Sequence, residues 1–234
     1  MDNKLGLIFL DAAMTLIRPE PGVGALYAQI AREHGVEVDG AALEAHFGAA
    51  WVAGRAAAAP APPYGRTWPD AVAFWKPVVE STFAAAGAAM PADPYIDDVF
   101  EAFSTGRAWA LYDDVAPALE LAARRGVRVG LLSNFDVRLH RLLDEFGLRE
   151  ALDPIVVSAD LGVEKPHPGI YEHAARAAGL PPGRLGMIGD SPAEDHDGPI
   201  AAGWRAVLVD RRGPRDDGRA WAASLVEAVE RLLA

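Results

Sequence analysis

Four short stretches of the chain hold residues whose types and spacing could do chemistry together. Asp11 ends the apolar run Leu5–Leu10, and Thr15 follows four residues later. Ser133 and Asn134 close a second apolar run, Val127–Leu132. Lys165 stands in Gly162-Val-Glu-Lys-Pro-His-Pro168, and Asp190 and Asp195 follow the run Leu185–Ile188. A carboxylate such as Asp11 can attack phosphorus or an activated carbon and form an aspartyl intermediate. Two clustered carboxylates, Asp11 and Asp190, repel unless a hard cation lies between them, and Mg2+ suits one or two carboxylates plus a substrate phosphate. Lys165 supplies a point charge for that phosphate, and Ser133 and Asn134 supply hydrogen-bond donors. Backbone N–H groups in the turn after Asp11 add more.

Each residue also has a plainer use. Asp190-Ser-Pro-Ala-Glu194 reads as a helix start, with Ser191 as N-cap, Pro192 in the first turn and Glu194 closing a capping box. Ser133-Asn134 is ordinary turn chemistry, Lys165 before Pro166 suits a solvated loop, and a lone Asp11 could cap a turn. Their co-occurrence at the ends of successive strands is what points to a site.

The elements that must position them follow from the hydrophobic rhythm. Leu5–Leu10 is short and apolar throughout, as in a strand buried on both faces of a parallel sheet. Residues 17–108 are helical in pattern, with apolar faces such as Leu26, Ile30 and Ala31, then Leu43, Phe47 and Trp51. The stretch Ala56–Pro63 is too rich in proline for a helix, so a loop is expected there. A third helix carries Val72, Trp75, Val79 and Phe83, with Pro77 kinking it or opening its second part. Asp93 and Pro94 look like the N-cap and first turn of a fourth. From Asp113 strands and helices alternate: strands at 127–132, 155–157, 185–188 and 206–209, each followed by a helix. That alternation predicts an α/β fold, a doubly wound parallel Rossmann-like sheet with an inserted all-helical cap domain. The core is expected over 1–17 and 108–234, and the cap over 18–107. In such a sheet the C-terminal strand ends face one crevice, so the four stretches converge.

Composition narrows the partners. A formal net charge of −11 over 234 residues argues against nucleic acid, whose phosphates need a basic face. There is no cysteine, which excludes disulfides, thiolate metal sites and a cysteine nucleophile. No apolar stretch approaches about 20 residues, so no membrane span is expected, and no cleavable leader is visible. The expected location is the cytoplasm.

On these residues the chain resembles the haloacid dehalogenase (HAD) superfamily of hydrolases, in its branch with a helical cap after the first motif. Asp11-Ala-Ala-Met-Thr15 matches the first motif, Ser133 the second and Lys165 the third. The fourth is Gly189-Asp-Ser-Pro-Ala-Glu-Asp195, continuing to Trp204, and it is the most specific. The cap stretch from Phe74 to Gly87 and the segment 133–146 are similar to the REG-2-like branch. The resemblance implies a Mg2+-dependent phosphatase acting on a small phosphorylated metabolite through an aspartyl-phosphate on Asp11. Asp11 and Lys165 would be catalytic; Thr15, Ser133 and Asn134 would bind substrate. Asp11, Asp190 and the backbone carbonyl of Ala13 would hold the metal, with Asp195 supporting the metal or Lys165.

Ala13 departs from the family's phosphatase pattern, which carries Asp there as general acid and base. Losing a positioned proton donor costs about 10²–10⁴ in rate when the leaving group is poor. The implied enzyme is therefore slow or specialised. L-2-haloacid dehalogenases tolerate a non-acidic residue here and share the Lys165–Tyr171 spacing, but carry Tyr where this chain has Ala13. Tyr171 also reads as a half-buried helix residue beside Ala174 and Ala175. Phosphonoacetaldehyde hydrolases place Ala at this position and use a cap lysine, for which Lys76 between Trp75 and Pro77 is the sole candidate. A phosphate-binding pseudo-enzyme is the non-catalytic alternative. Substrate choice is expected in the cap, from residues such as His46, Arg55, Arg66, Trp68 and Trp75.

Overall fold

In the computed structural model, residues 4–58, 65–213 and 216–234 are described. In chain order they form β1 (Leu7–Leu10), β2 (Ile17–Pro19), α1 (Val23–Glu33), α2 (Gly40–Ala58), α3 (Trp68–Ala85), α4 (Tyr95–Ala102) and β3 (Trp109–Leu111). There follow α5 (Val115–Arg124), β4 (Arg128–Ser133), α6 (Arg138–Glu145), β5 (Ile155–Val157), α7 (Ser158–Leu161), α8 (Pro168–Ala178) and β6 (Leu185–Gly189). A π-helix, Pro192–Asp197, then leads to α9 (Gly198–Ala201), β7 (Arg205–Val209), β8 (Trp221–Ala222) and α10 (Leu225–Leu233). Two compact units emerge: Met1–Arg18 with Leu111–Phe135 and Gly147–Ala234, and Pro19–Ala110 with Asp136–Phe146.

The first unit is a six-stranded sheet in the order β5-β4-β1-β6-β7-β8, with parallel neighbours throughout. All four residues of β1 are buried, as a central strand covered on both faces requires. Each such side chain contributes about 1.5–3 kcal/mol relative to exposure. Phe9 stacks on Trp204 at 5.2 Å between centroids, and Tyr171 meets Trp204 edge-on at 5.8 Å. In α10, Leu225, Ala228, Val229 and Leu232 form the buried stripe, and the Ser224 hydroxyl accepts the Glu227 N–H at its start. Outward winding from β1 through β4 to β5, followed by return to β6, puts the topological switch at β1. Leu10 lies beside both Leu131 and Ile188, so Asp11, Ser133 and Asp190 leave the sheet almost abreast.

The second unit is helical. Tyr27, Phe83, Tyr95 and Phe103 pack at its centre, with Tyr95 donating its hydroxyl to the Tyr27 carbonyl. Thr67 and Asp70 form a capping box at the start of α3, which continues through Pro77. α2 extends to Ala58, so Ala56–Ala58 are helical rather than loop; residues 59–63 of that expected loop lie outside the described residues. α4 begins at Tyr95 without a side-chain cap, and Asp93 instead pairs with Lys76 at 3.3 Å. Segment 136–146 groups with this unit through a buried cluster. Arg138 donates to both Asp136 oxygens at 2.8 and 2.6 Å, and Trp75 Nε1 donates to Asp136 at 2.8 Å. The guanidinium lies 4.3 Å from the centre of the Phe100 ring. A bidentate pair with its remaining sites satisfied keeps two buried charges tolerable.

Candidate active site

The site lies within the first unit, at the C-terminal strand ends. The Asp11 N–H still bonds to the Ile188 carbonyl at 2.9 Å, extending the ladder one residue past β1. The chain then turns sharply. The Ala12 carbonyl accepts N–H groups from Thr15, Leu16 and Ile17, and Met14 adopts a left-handed φ of 63°. A non-glycine residue there costs roughly 1–2 kcal/mol, which the stitched turn sustains. Ala13 sits half-buried within this turn.

Asp11 is only 8 % exposed. Its Oδ1 accepts Ser133 Oγ at 3.0 Å and Lys165 Nζ at 2.9 Å. Its Oδ2 accepts no hydrogen bond among the described residues. Lys165 is fully buried and spends all three ammonium protons, on Asp11, on the Leu132 carbonyl at 2.9 Å and on Asp195 Oδ1 at 2.6 Å. Asp195 accepts the Ser191 N–H on its other oxygen at 3.0 Å. Gly189 makes room for it, since a Cβ there would stand 2.2 Å from the Asp195 carboxylate.

The charges do not balance locally. Oxygens of Asp11, Asp190 and Asp195 lie within 4.8 Å of one another, around one ammonium. Burial, reinforced by Asp11 and Asp195, pushes Asp190 up to about 7. Burial pushes Asp195 up to about 6, with Lys165 opposing and Asp11 adding to the shift. Burial also works against the charge on Lys165, but Asp11 and Asp195 more than offset it, so the ammonium persists. Both raised carboxyls hold protons in the folded state that they lose in the unfolded chain above about pH 4. Their stabilising contribution is therefore complete below about pH 4 and disappears as pH rises through 6 to 7. Protein stripped of divalent cations should melt at a higher temperature at pH 5 than at pH 8, and Asp190→Asn should flatten that slope. Equal slopes in the two proteins would contradict the assignment.

Thr15 and Asn134, both expected to bind substrate, are held by contacts within the protein. Thr15 is fully buried, its hydroxyl has no partner among the described residues, and its carbonyl accepts Arg211 Nη2 at 3.2 Å. Through that carbonyl it ties the turn to Arg211. Arg211 also makes a bidentate pair with Asp114 at 2.6 and 2.9 Å and lies 3.8 Å from the centre of the Tyr112 ring. The Asn134 amide is likewise committed within the protein. Its Oδ1 accepts the Lys165 N–H at 2.8 Å, while Nδ2 donates to the Lys165 carbonyl at 2.8 Å and to Glu194 at 3.0 Å.

The expected capping box at 191–194 is absent: Ser191 makes no side-chain cap, the segment is a π-helix, and Glu194 faces Asn134. Tyr171 is buried, not half-buried, and donates its hydroxyl to the Glu194 carbonyl at 2.6 Å. Lys76 is half-buried and its ammonium pairs with Asp93 at 3.3 Å. Arg211, Asp114 and Glu194 carried no local signal for these contacts, because the side-chain partners just named lie 60 to 196 residues away.

The family is decided by the sequence as a whole. The family model described as haloacid dehalogenase-like hydrolase matches residues 5–203. The chain belongs to the haloacid dehalogenase-like hydrolases. The human haloacid dehalogenase-like hydrolase domain-containing protein 3 is 34% identical over 215 residues, covering 88% of this chain and 82% of the relative. A phosphoserine phosphatase from Thermus thermophilus is 35% identical over 111 residues, which is 47% of this chain and 44% of that protein. Among solved structures, an L-2-haloacid dehalogenase from Xanthobacter autotrophicus with chloropropionic acid covalently bound is similar in fold. It has a TM-score of 0.71 at 18% identity and covers 98% of this chain and 100% of that one. The fold is thus that of the HAD hydrolases. No helix among the described residues is long and apolar enough to cross a membrane.

Proposed function

We propose that this HAD hydrolase is a Mg2+-dependent phosphatase for a small phosphorylated metabolite, working through an aspartyl-phosphate on Asp11. The observation that carries it is the division of labour within one carboxylate: Oδ1 is held by Lys165 and Ser133, and Oδ2 is left to attack. Lys165 keeps Asp11 aligned. Oδ2 attacks phosphorus, the bond to the leaving oxygen breaks with its electron pair, and water later hydrolyses the aspartyl-phosphate to regenerate the carboxylate. The single Ser133 hydroxyl proton, given to Asp11 Oδ1 in the free protein, turns to the phosphoryl group when substrate enters. In this reading residues 18–107 are the cap domain and 1–17 with 108–234 the catalytic core.

The carboxylate surplus around Lys165 fits a divalent cation. Asp11, Asp190 and the Ala13 carbonyl would hold it, and Asp195, both of whose oxygens are engaged by Lys165 and Ser191, would support from behind. When bound, Mg2+ supplies charge neutralisation for the phosphate oxygens. The partial match to a phosphoserine phosphatase agrees with this reading, and the net charge of −11 argues against nucleic acid as substrate.

Ala13 leaves the departing oxygen without a donor, so substrates with acidic leaving groups should be favoured. Ala13→Asp is expected to raise kcat/KM on alkyl phosphates by about 10²-fold and to change p-nitrophenyl phosphate little. No gain on alkyl phosphates would mean that the site is not simply missing an acid. The deciding experiment is a panel of p-nitrophenyl phosphate, sugar phosphates and 2-chloropropionate, with and without Mg2+. Metal-dependent phosphate release is expected. Metal-independent chloride release would make the enzyme a dehalogenase, and phosphate binding without any turnover would make it a pseudo-enzyme.

A further inference from the structure

We propose that Glu194 is a positioning residue for Lys165, acting through Asn134; the inference rests on the phosphatase reading of the site. Lys165 hangs from a loop, and its three ammonium contacts at 2.9, 2.9 and 2.6 Å leave no donor to spare. A small shift of that loop would weaken all three together, because hydrogen bonds fade steeply with distance and angle.

Asn134 holds the loop from both sides, accepting the Lys165 N–H and donating to the Lys165 carbonyl. A primary amide has two N–H groups, and the second goes to Glu194 Oε2 at 3.0 Å. Glu194 thereby fixes which way the amide faces. Reversed, Asn134 would set its oxygen against both the Lys165 carbonyl and the Glu194 carboxylate.

Glu194 is itself anchored by an independent contact, the Tyr171 hydroxyl on its backbone carbonyl. Gly198 admits that hydroxyl, since a Cβ there would lie 2.2 Å from it. The π-helix thus presents Asp195 to the Lys165 ammonium and Glu194 to the holder of the Lys165 backbone. Consecutive residues of one segment control the two ends of the same lysine.

The test compares Glu194→Ala, Glu194→Gln, Asn134→Ala and the double alanine variant. Turnover is measured on the best substrate of the wild-type panel, and binding of inorganic phosphate in Mg2+ by calorimetry, with Asp11→Asn as the control for the covalent route. Glu194→Ala should lose about 10-fold in kcat and bind phosphate about 10-fold more weakly, with an unchanged pH profile. Glu194→Gln keeps an acceptor oxygen for Asn134 and should stay within about threefold of wild type on both readouts. The double variant should lose no more than the worse single one, as for two groups acting as a unit. Melting temperatures identify any variant that has lost its fold, and Glu194→Gln then carries the comparison. Wild-type behaviour of Glu194→Ala, additive losses, or a Glu194→Gln as impaired as the alanine variant overturns the proposal. An active Asp11→Asn protein overturns the phosphatase reading instead, and phosphate binding still reports on the bracket separately.

Discussion

Asp11→Asn is expected to lower kcat by about 10⁴-fold or more, with little change in fold. The amide is nearly isosteric, so its Oδ1 can still accept from Ser133 and Lys165 at the distances the carboxylate uses. What disappears is Oδ2, the carboxylate oxygen of Asp11 that accepts no hydrogen bond among the described residues. An amide nitrogen offers no comparable nucleophile, so no phosphoryl–enzyme bond forms. The substitution also removes one of the negative charges that raise Asp190, whose carboxyl should therefore ionise at lower pH than the value of about 7 in the parent. Steady-state phosphate release at saturating substrate and Mg2+ checks the first point, and the melting temperature checks the second. Retention of even a tenth of parental turnover would rule out Asp11 as nucleophile.

Lys165→Met should damage both activity and stability. The ammonium is buried between Asp11 and Asp195 and also bonded to the Leu132 carbonyl. Methionine fills similar volume but leaves two buried carboxylates and a carbonyl without their donor. Breaking a buried pair from one side costs about 3–5 kcal/mol, because the stranded charge has lost its solvation and its partner. The same loss removes the cation that orients Asp11 through Oδ1, so kcat should fall by about 10³-fold. Denaturant unfolding at pH 8 and at pH 5 separates the two effects. With the cation gone, Asp195 loses the charge that opposes its upward shift and should be protonated more readily, so the stability deficit should shrink at pH 5 and be largest at pH 8. A deficit of equal size at both pH values would mean that the lysine matters for packing alone.

The two substitutions differ in what they ask of the molecule. The first removes the atom proposed to react from an otherwise intact framework. The second removes the charge that makes the framework affordable, and its cost should therefore depend on protons as well as on substrate.

Much of this site is determined by the sequence alone. Strand β1 is apolar throughout because both faces and both edges are covered, and Asp11 marks where that cover ends. The same punctuation occurs at Ser133 and at Asp190, and the parallel order of the sheet makes those ends neighbours. Short-range rhythm therefore sufficed to place Asp11, Ser133 and Asp190 at neighbouring strand ends, while the expectation of an acid at Ala13 came from the family resemblance.

What the tertiary structure decided is how each polar side chain is spent. Thr15 lies four residues from Asp11 in sequence, yet it is fully buried and its carbonyl is bound by Arg211. Asn134 adjoins Ser133, yet its amide is consumed by the Lys165 backbone and by Glu194. Glu194 fits a capping box by spacing but faces a partner 60 residues away, and Asp136 with Arg138 draws segment 136–146 into the helical unit. The physical reason is common to these cases. Periodicity reports which side chains are covered, because burial repeats along a helix or strand. A hydrogen bond joins two atoms within about 3 Å whatever their distance along the chain, and only the folded molecule brings such atoms together.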